Sequence, residues 1–234
     1  MRLSSSFRRF RDWTGAEFST LAAIAVLASA AAAFVRLADE VVEGETGVFD
    51  ERLLLALRVP GDPAQPIGPK WLEFAFRDLT SLGGTTVLTV ITVVVVGYLL
   101  VERNRATALL VAVSVGVGAL ASTLMKDLFA RPRPDLVAHL VDVGTPSFPS
   151  GHAMLSAVTY LTLGSLLAGV HPERAARLYF FIVAVLLTLL IGISRVYLGV
   201  HYPTDVLAGW SAGAAWAMLC WLAARYLRNR GRVE

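Results

Sequence analysis

Six apolar runs, each close to the length of a bilayer crossing, leave this chain few folds to adopt. A helix needs roughly 20 mostly apolar residues to cross the hydrocarbon layer. Such runs extend from about Phe18 to Ala38, Ser81 to Val101, Ala106 to Phe129, Met154 to Val170, Ala176 to Leu198 and Thr204 to Leu227. In lipid every backbone N–H and C=O must be satisfied internally, so runs of this length become helices. Only 17% of the 234 residues are charged, against about 25% in soluble domains. The expected fold is all-α, an integral membrane six-helix bundle built by residues 1–234 as one domain. The fourth run is short unless Gly151 and His152 open it, so a helix is expected to begin there.

Arginine placement sets the orientation. Arg2, Arg8, Arg9 and Arg11 precede the first run, and Arg225, Arg228, Arg230 and Arg232 end the chain. Arg103 and Arg105 link runs two and three; Arg174 and Arg177 link runs four and five. With six crossings all four segments share one side, which the positive-inside rule makes cytoplasmic. The opposite side receives the long segment between the first two runs. It is acidic, with Asp39, Glu40, Glu43, Glu45, Asp50, Glu51, Asp62, Glu73 and Asp78. Both signs give the same topology, with N- and C-termini in the cytoplasm. The first run also has the look of a secretory signal, but its length and lack of a distinct cleavage site favour a retained anchor helix.

Within the acidic segment, Val48 to Val59 interleaves leucines with charges, and Trp71, Phe74 and Phe76 follow near Lys70 and Arg77. This pattern predicts a pair of short interfacial helices, with aromatics at headgroup level. The net charge of +3 is too small to argue for a nucleic-acid partner. Cys220, the only cysteine, excludes an intrachain disulfide and reads as a small buried residue. Gly209 and Gly213 form a G-x-x-x-G pair, which predicts close helix packing within the bundle.

Three polar clusters interrupt the apolar chain, all expected at its non-cytoplasmic side. Ionisable groups at membrane depth are costly and by default functional. The first holds Lys126 and Arg133-Pro134, seven residues apart, so a helix end and proline bends bring two cations round one anion. Arg131 also precedes a proline, and local pattern does not rank the two arginines. The second is Pro149-Ser150-Gly151-His152. Ser150 suits an N-cap, Gly151 allows close backbone approach, and the helix N-terminus favours an anion near His152. The third is Ser194-Arg195, then His201 and Asp205. A four-residue spacing lets Asp205 accept from one ring nitrogen of His201, leaving the other as a nucleophile. Each cluster alone also fits an ordinary role: a turn, a basic patch, a capping pair. Three such coincidences at one membrane face do not.

With these residues the chain resembles the type 2 phosphatidic acid phosphatase family, which shares its active site with vanadium haloperoxidases. The family pattern K-x6-R-P, P-S-G-H and S-R-x5-H-x3-D is matched at Lys126 to Arg133-Pro134, at Pro149 to His152, and at Ser194-Arg195 to His201 and Asp205. The likeness covers roughly residues 70 to 225, and its spacing selects Arg133 over Arg131. It implies that His201 attacks phosphorus, Asp205 orients it, and His152 protonates the leaving oxygen and then activates water. Lys126, Arg133, Arg195, Ser150 and the Gly151 N–H are implied to hold the phosphate, with no metal and no other cofactor. It implies a lipid phosphate or diphosphate as substrate, at the periplasmic face of a bacterial inner membrane. Undecaprenyl diphosphate is the first expectation; phosphatidylglycerol phosphate, phosphatidic acid and lipid A are the alternatives. A non-catalytic lipid-binding or transport protein is the alternative of another class, disfavoured because His152, His201 and Asp205 are all present. His139 and His171 fall outside the pattern and read as loop and surface residues.

Overall fold

The structure, a computed structural model, describes residues 3–229, with side chains from 19 to 227. The arginines expected to mark the N-terminal segment, and Arg228, Arg230 and Arg232, lie outside the side chains described. Eight helices and one small hairpin follow in order among the described residues. Helix α1 spans Leu3–Val42 and α2 Gly47–Ala56; strands β1 (Arg58–Val59) and β2 (Asp62–Pro66) pair antiparallel; α3 spans Lys70–Ser81. Then come α4 (Thr85–Val101), α5 (Arg105–Phe129), α6 (Gly151–Val170), α7 (Arg174–Tyr197) and α8 (Pro203–Asn229).

Five of these helices are by themselves long and apolar enough to cross a membrane, and a sixth crossing exists when α3 and α4 count together. The second expected run departs from a single helix. Its helical part, α4, has 17 residues, about 26 Å at 1.5 Å per residue, short of a hydrocarbon layer of about 30 Å. Residues Leu82 to Gly84 break the chain, and α3 meets α4 at a 46° bend. The fourth run does begin at Gly151, with Ser150 at the N-cap position.

Helix α6 is central. Over half of its apolar stretch is buried (56%), against 11% for α1 at the periphery. Lipid tails give no hydrophobic force between helices, so small residues that admit close backbones carry the packing. Gly209 and Gly213 serve this role within the bundle, as expected. A Cβ on either would lie 2.6 Å from a carbonyl oxygen at the start of α6, that of the N-cap residue Ser150 and that of Met154 respectively. Indole N–H groups tie further helices together: Trp210 Nε1 donates to Thr188 O (3.0 Å) and Trp216 Nε1 to Ser114 O (2.8 Å). Helix α1 packs through Phe34, Leu37, Ala38 and Val41 onto Phe129, Phe148 and Ala208. Cys220 is buried, as expected.

The segment after α1 forms the two expected short helices, with a hairpin between them that the sequence pattern did not announce. Helix α3 exposes Trp71 and Phe74, whereas Phe76 packs on Tyr197 with ring centroids 4.4 Å apart. The hairpin docks on the end of α7: Arg58 Nη1 donates to Tyr197 O (3.0 Å), and the Tyr197 hydroxyl donates to Ile67 O (2.7 Å).

Candidate active site

The C-terminal ends of α5 and α7 and the N-terminal ends of α6 and α8 meet at one end of the bundle, and this junction gathers all three clusters. Lys126 sits in the last turn of α5, which Ala130 ends in the left-handed region (φ 45°). Arg133 follows in the connecting loop. Arg195 closes α7, His152 opens α6, and His201 precedes Pro203, the first residue of α8.

A cavity of about 550 Å³ is lined by Lys126, Arg133, Gly151, His152, Arg195 and His201. Of the residues singled out from sequence, Asp205 and Ser150 stand outside this lining, Asp205 behind the His201 ring and Ser150 buried under the first turn of α6. Gly151 approaches Lys126 closely: a Cβ there would lie 3.3 Å from Lys126 Cε. The expected side-chain cap from Ser150 is not made. Its Oγ is buried without a hydrogen-bond partner in the protein, as is Arg195 Nε. Backbone joins the two motif helices instead, with Ser150 N donating to Asp205 O at 2.9 Å.

The ring of His201 has a definite tautomer. Nδ1 faces Asp205 Oδ2 at 3.4 Å, and a carboxylate only accepts. Nε2 lies 3.3 Å from Arg133 Nη1, and a guanidinium only donates. Both neighbours therefore assign the proton to Nδ1 and leave a lone pair on Nε2, toward the cavity. Burial pushes the His201 imidazolium well below its ordinary value, to about 3, despite the opposing pull of Asp205. The ring is neutral at pH 7, as a nitrogen nucleophile must be.

Three cations share the cavity with that nitrogen. Arg133 is braced by the loop, donating from Nε to Thr145 O (2.7 Å) and from Nη1 to Val200 O (2.6 Å). Burial lowers its value from the ordinary one, with Asp205 opposing. Lys126 Nζ donates to Pro146 O (2.5 Å), and Arg195 Nη1 to Thr80 Oγ1 (3.0 Å). His152 lies beside the α3–α4 break, where a Cβ on Gly84 would be 3.9 Å from its Nε2. Such an arrangement can hold a tetrahedral anion on several donors, present it to a neutral imidazole and supply a second imidazole for proton transfer.

Sequence reasoning missed the support behind the ring. Ser147 Oγ donates to Asp205 Oδ2 in a short contact, and Tyr202 N donates to the same oxygen at 2.8 Å. Arg131 pairs with Asp205 Oδ1 (2.7 Å) and with Asp50 Oδ2 (2.9 Å). Burial opposes the Arg131 charge, but the two carboxylates outweigh it and raise its value. Arg131 thus lies behind the ring and Arg133 lines the cavity. The signal for Asp50 in sequence was slight: one carboxylate among many in an acidic segment. His139 stays in its loop, bonded through Nε2 to Pro134 O (2.6 Å), and His171 stacks on Phe180 away from the cavity.

The chain is similar in sequence and fold to several known proteins. Residues 107–229 match the family model of the PAP2 superfamily. Phosphatidylglycerophosphatase B of Bacillus subtilis is 35% identical over 144 residues, covering 61% of this chain and 70% of that protein. A decaprenylphosphoryl-5-phosphoribose phosphatase of Mycobacterium tuberculosis is 38% identical over 121 residues, 50% of this chain and 62% of that one. Relatives named undecaprenyl-diphosphatase, from Sulfolobus acidocaldarius, and lipid A 1-phosphatase, from Rhizobium etli, are each 30% identical. Among solved structures, that of a transmembrane PAP2-type phosphatidylglycerolphosphate phosphatase from Bacillus subtilis superposes with a TM-score of 0.76. It is 29% identical and covers 87% of this chain and 96% of that one.

Proposed function

The chain belongs to the PAP2 superfamily, and from that membership we propose that it hydrolyses a lipid phosphoester through a phosphohistidine on His201. The observation that carries the reading is the His201 ring itself: neutral, protonated toward Asp205, with Nε2 beside Arg133 in a cavity lined by three cations. Nε2 attacks phosphorus while Lys126, Arg133, Arg195 and the Gly151 N–H take the charge on the phosphoryl oxygens. The P–O bond to the lipid breaks, and its oxygen takes a proton from His152. His152 then removes a proton from water, which attacks phosphorus, releases inorganic phosphate and restores Nε2. Three side-chain cations supply the charge that a metal would otherwise bring, so the reaction runs without one.

The substrate we favour is a phosphatidylglycerol phosphate, a monophosphate on a glycerolipid. Its support is the 35% identity to a phosphatidylglycerophosphatase of Bacillus subtilis and the 0.76 TM-score to a solved structure of that description from the same organism. Undecaprenyl diphosphate, the first expectation from sequence, is the second reading, supported by the relative of that name. The site faces the periplasmic side of a bacterial inner membrane, with both termini in the cytoplasm. Support comes from Arg103, Arg105, Arg174 and Arg177, which flank the helix ends opposite the site.

The test is phosphate release by purified protein in detergent with EDTA. The substrates are phosphatidylglycerol phosphate, undecaprenyl diphosphate, phosphatidic acid and a lipid A, with His201→Ala as control. Fastest release from phosphatidylglycerol phosphate, lost in the variant, supports the reading. Preference for another lipid replaces the substrate, and no release from any of them by folded protein overturns the function.

A further inference from the structure

Asp50 comes from α2, far in sequence from every motif residue, yet it is wholly buried against the site. Both its oxygens are committed. Oδ1 accepts from Thr204 N (3.0 Å), one of the free N–H groups in the first turn of α8. Oδ2 accepts from Thr204 Oγ1 (2.6 Å) and from Arg131 Nη2 (2.9 Å). Arg131 uses its other terminal nitrogen on Asp205 Oδ1 (2.7 Å) and Thr204 Oγ1 (2.9 Å), with its guanidinium 4.3 Å from the centre of the Tyr202 ring. Thr46 Oγ1, one turn before Asp50, accepts from Arg131 Nη2 at 3.3 Å. A continuous chain of contacts therefore runs from Asp50 through Arg131 and Asp205 to His201.

The geometry gives Asp50 two effects at once. A guanidinium is a rigid planar fork, so holding one branch fixes where the other points. Asp50 grips one branch and aims the second at Asp205. Its carboxylate also meets the N-terminus of α8, where free N–H groups and the helix dipole favour a negative charge. That first turn carries Asp205. Two buried carboxylates share one guanidinium, and removing either leaves the remaining charges to reorganise.

We propose that Asp50 is a positioning residue for phosphoryl transfer: through Arg131 and Thr204 it holds Asp205, and so orients the His201 ring toward phosphorus. The proposal rests on the reading of His201 as nucleophile. It makes the segment between the first two crossings part of what aims the nucleophile, and not only a cover over the bundle end.

The test uses the full chain in detergent, with Asp50→Asn, which keeps shape and removes charge, and Arg131→Lys, which keeps charge and removes the fork. Expected is a fall in kcat of about tenfold or more with KM nearly unchanged. Adding Asp50→Asn to Asp205→Asn should cost no more than about twofold further, because the two act through one chain of contacts. Losses that multiply, a change in KM alone, or wild-type kcat in the folded variant would overturn the proposal. Should Asp50→Asn not fold, Arg131→Lys carries the same comparison. A second readout is the ¹⁵N spectrum of the His201 ring in the wild type and each variant. A changed tautomer signal or broadening in Asp50→Asn supports the proposal, and identical signals overturn it. If the wild type releases no phosphate, the function falls, and the ring spectrum alone decides the role of Asp50.

Discussion

The two sides of the His201 ring follow opposite rules. Behind Nδ1, every charge is matched: Asp205 receives Arg131, Ser147 and Tyr202 N, and Arg131 is shared with Asp50. In front of Nε2, Lys126, Arg133 and Arg195 line a cavity with no carboxylate in ion-pair contact with them among the described residues. Arg195 is buried and Lys126 and Arg133 are half-buried; grouping three cations without a carboxylate partner is costly, and such a group fits an anion that arrives from outside. In the proposed reaction the matched side holds geometry, and the unmatched side holds charge for the transition state. Substitutions on the two sides should therefore differ in kind as well as in size.

The largest effect is expected on the matched side. Asp205→Asn keeps the shape but alters the partner of Nδ1, and kcat should fall by about 10³–10⁴-fold. The same change leaves the buried Arg131 without half its compensation, so stability should fall by about 3 kcal/mol or more, read as a lower unfolding temperature in detergent. Lys126→Met tests the other side. It should lower kcat/KM by about 10²–10³-fold and weaken inhibition by inorganic phosphate, while the unfolding temperature holds or rises. Loss of stability in Lys126→Met, or none in Asp205→Asn, would erase the distinction between the sides.

The smallest effect concerns pH. Burial lowers the folded value of His201 to about 3, against about 6.5 in an unfolded chain. As pH falls below about 6.5, the unfolded state binds a proton that the folded ring refuses, so this residue favours unfolding progressively down to its folded value. Between pH 8 and 5 the folded ring should show no titration in its ¹⁵N signals. The acidic limb of kcat/KM should then owe nothing to the nucleophile in that range. A midpoint near 6.5 for His201 would mean that water reaches the ring and that the matched side is open.

What could be read from sequence follows from the range of each signal. The crossings were legible because apolar length is a local property, and the motif residues because their spacing within each cluster is short. The start of α6 at Gly151 was legible for the same reason. The break at Leu82 to Gly84 was marked by Gly83-Gly84, yet the apolar run on its far side outweighed that signal. The hairpin went unread because Asp62 to Pro66 carries two prolines and reads as linker. Asp50 and Arg131 were hidden for a different reason: their meaning lies in a contact across 81 residues of chain. Ser147 lies three residues before Ser150 and belongs to the matched side through one hydroxyl, which no spacing rule singles out.

The most direct test of the account is to find the phosphoryl group on the protein. Purified wild type in detergent with EDTA would be mixed briefly with lipid carrying a labelled terminal phosphate, quenched in alkali, digested, and its labelled peptide sequenced by mass spectrometry. Expected is an alkali-stable, acid-labile label on His201, longer-lived in His152→Ala and absent from His201→Ala. Label on another residue, or hydrolysis by a His201→Ala protein at the wild-type rate, would contradict it.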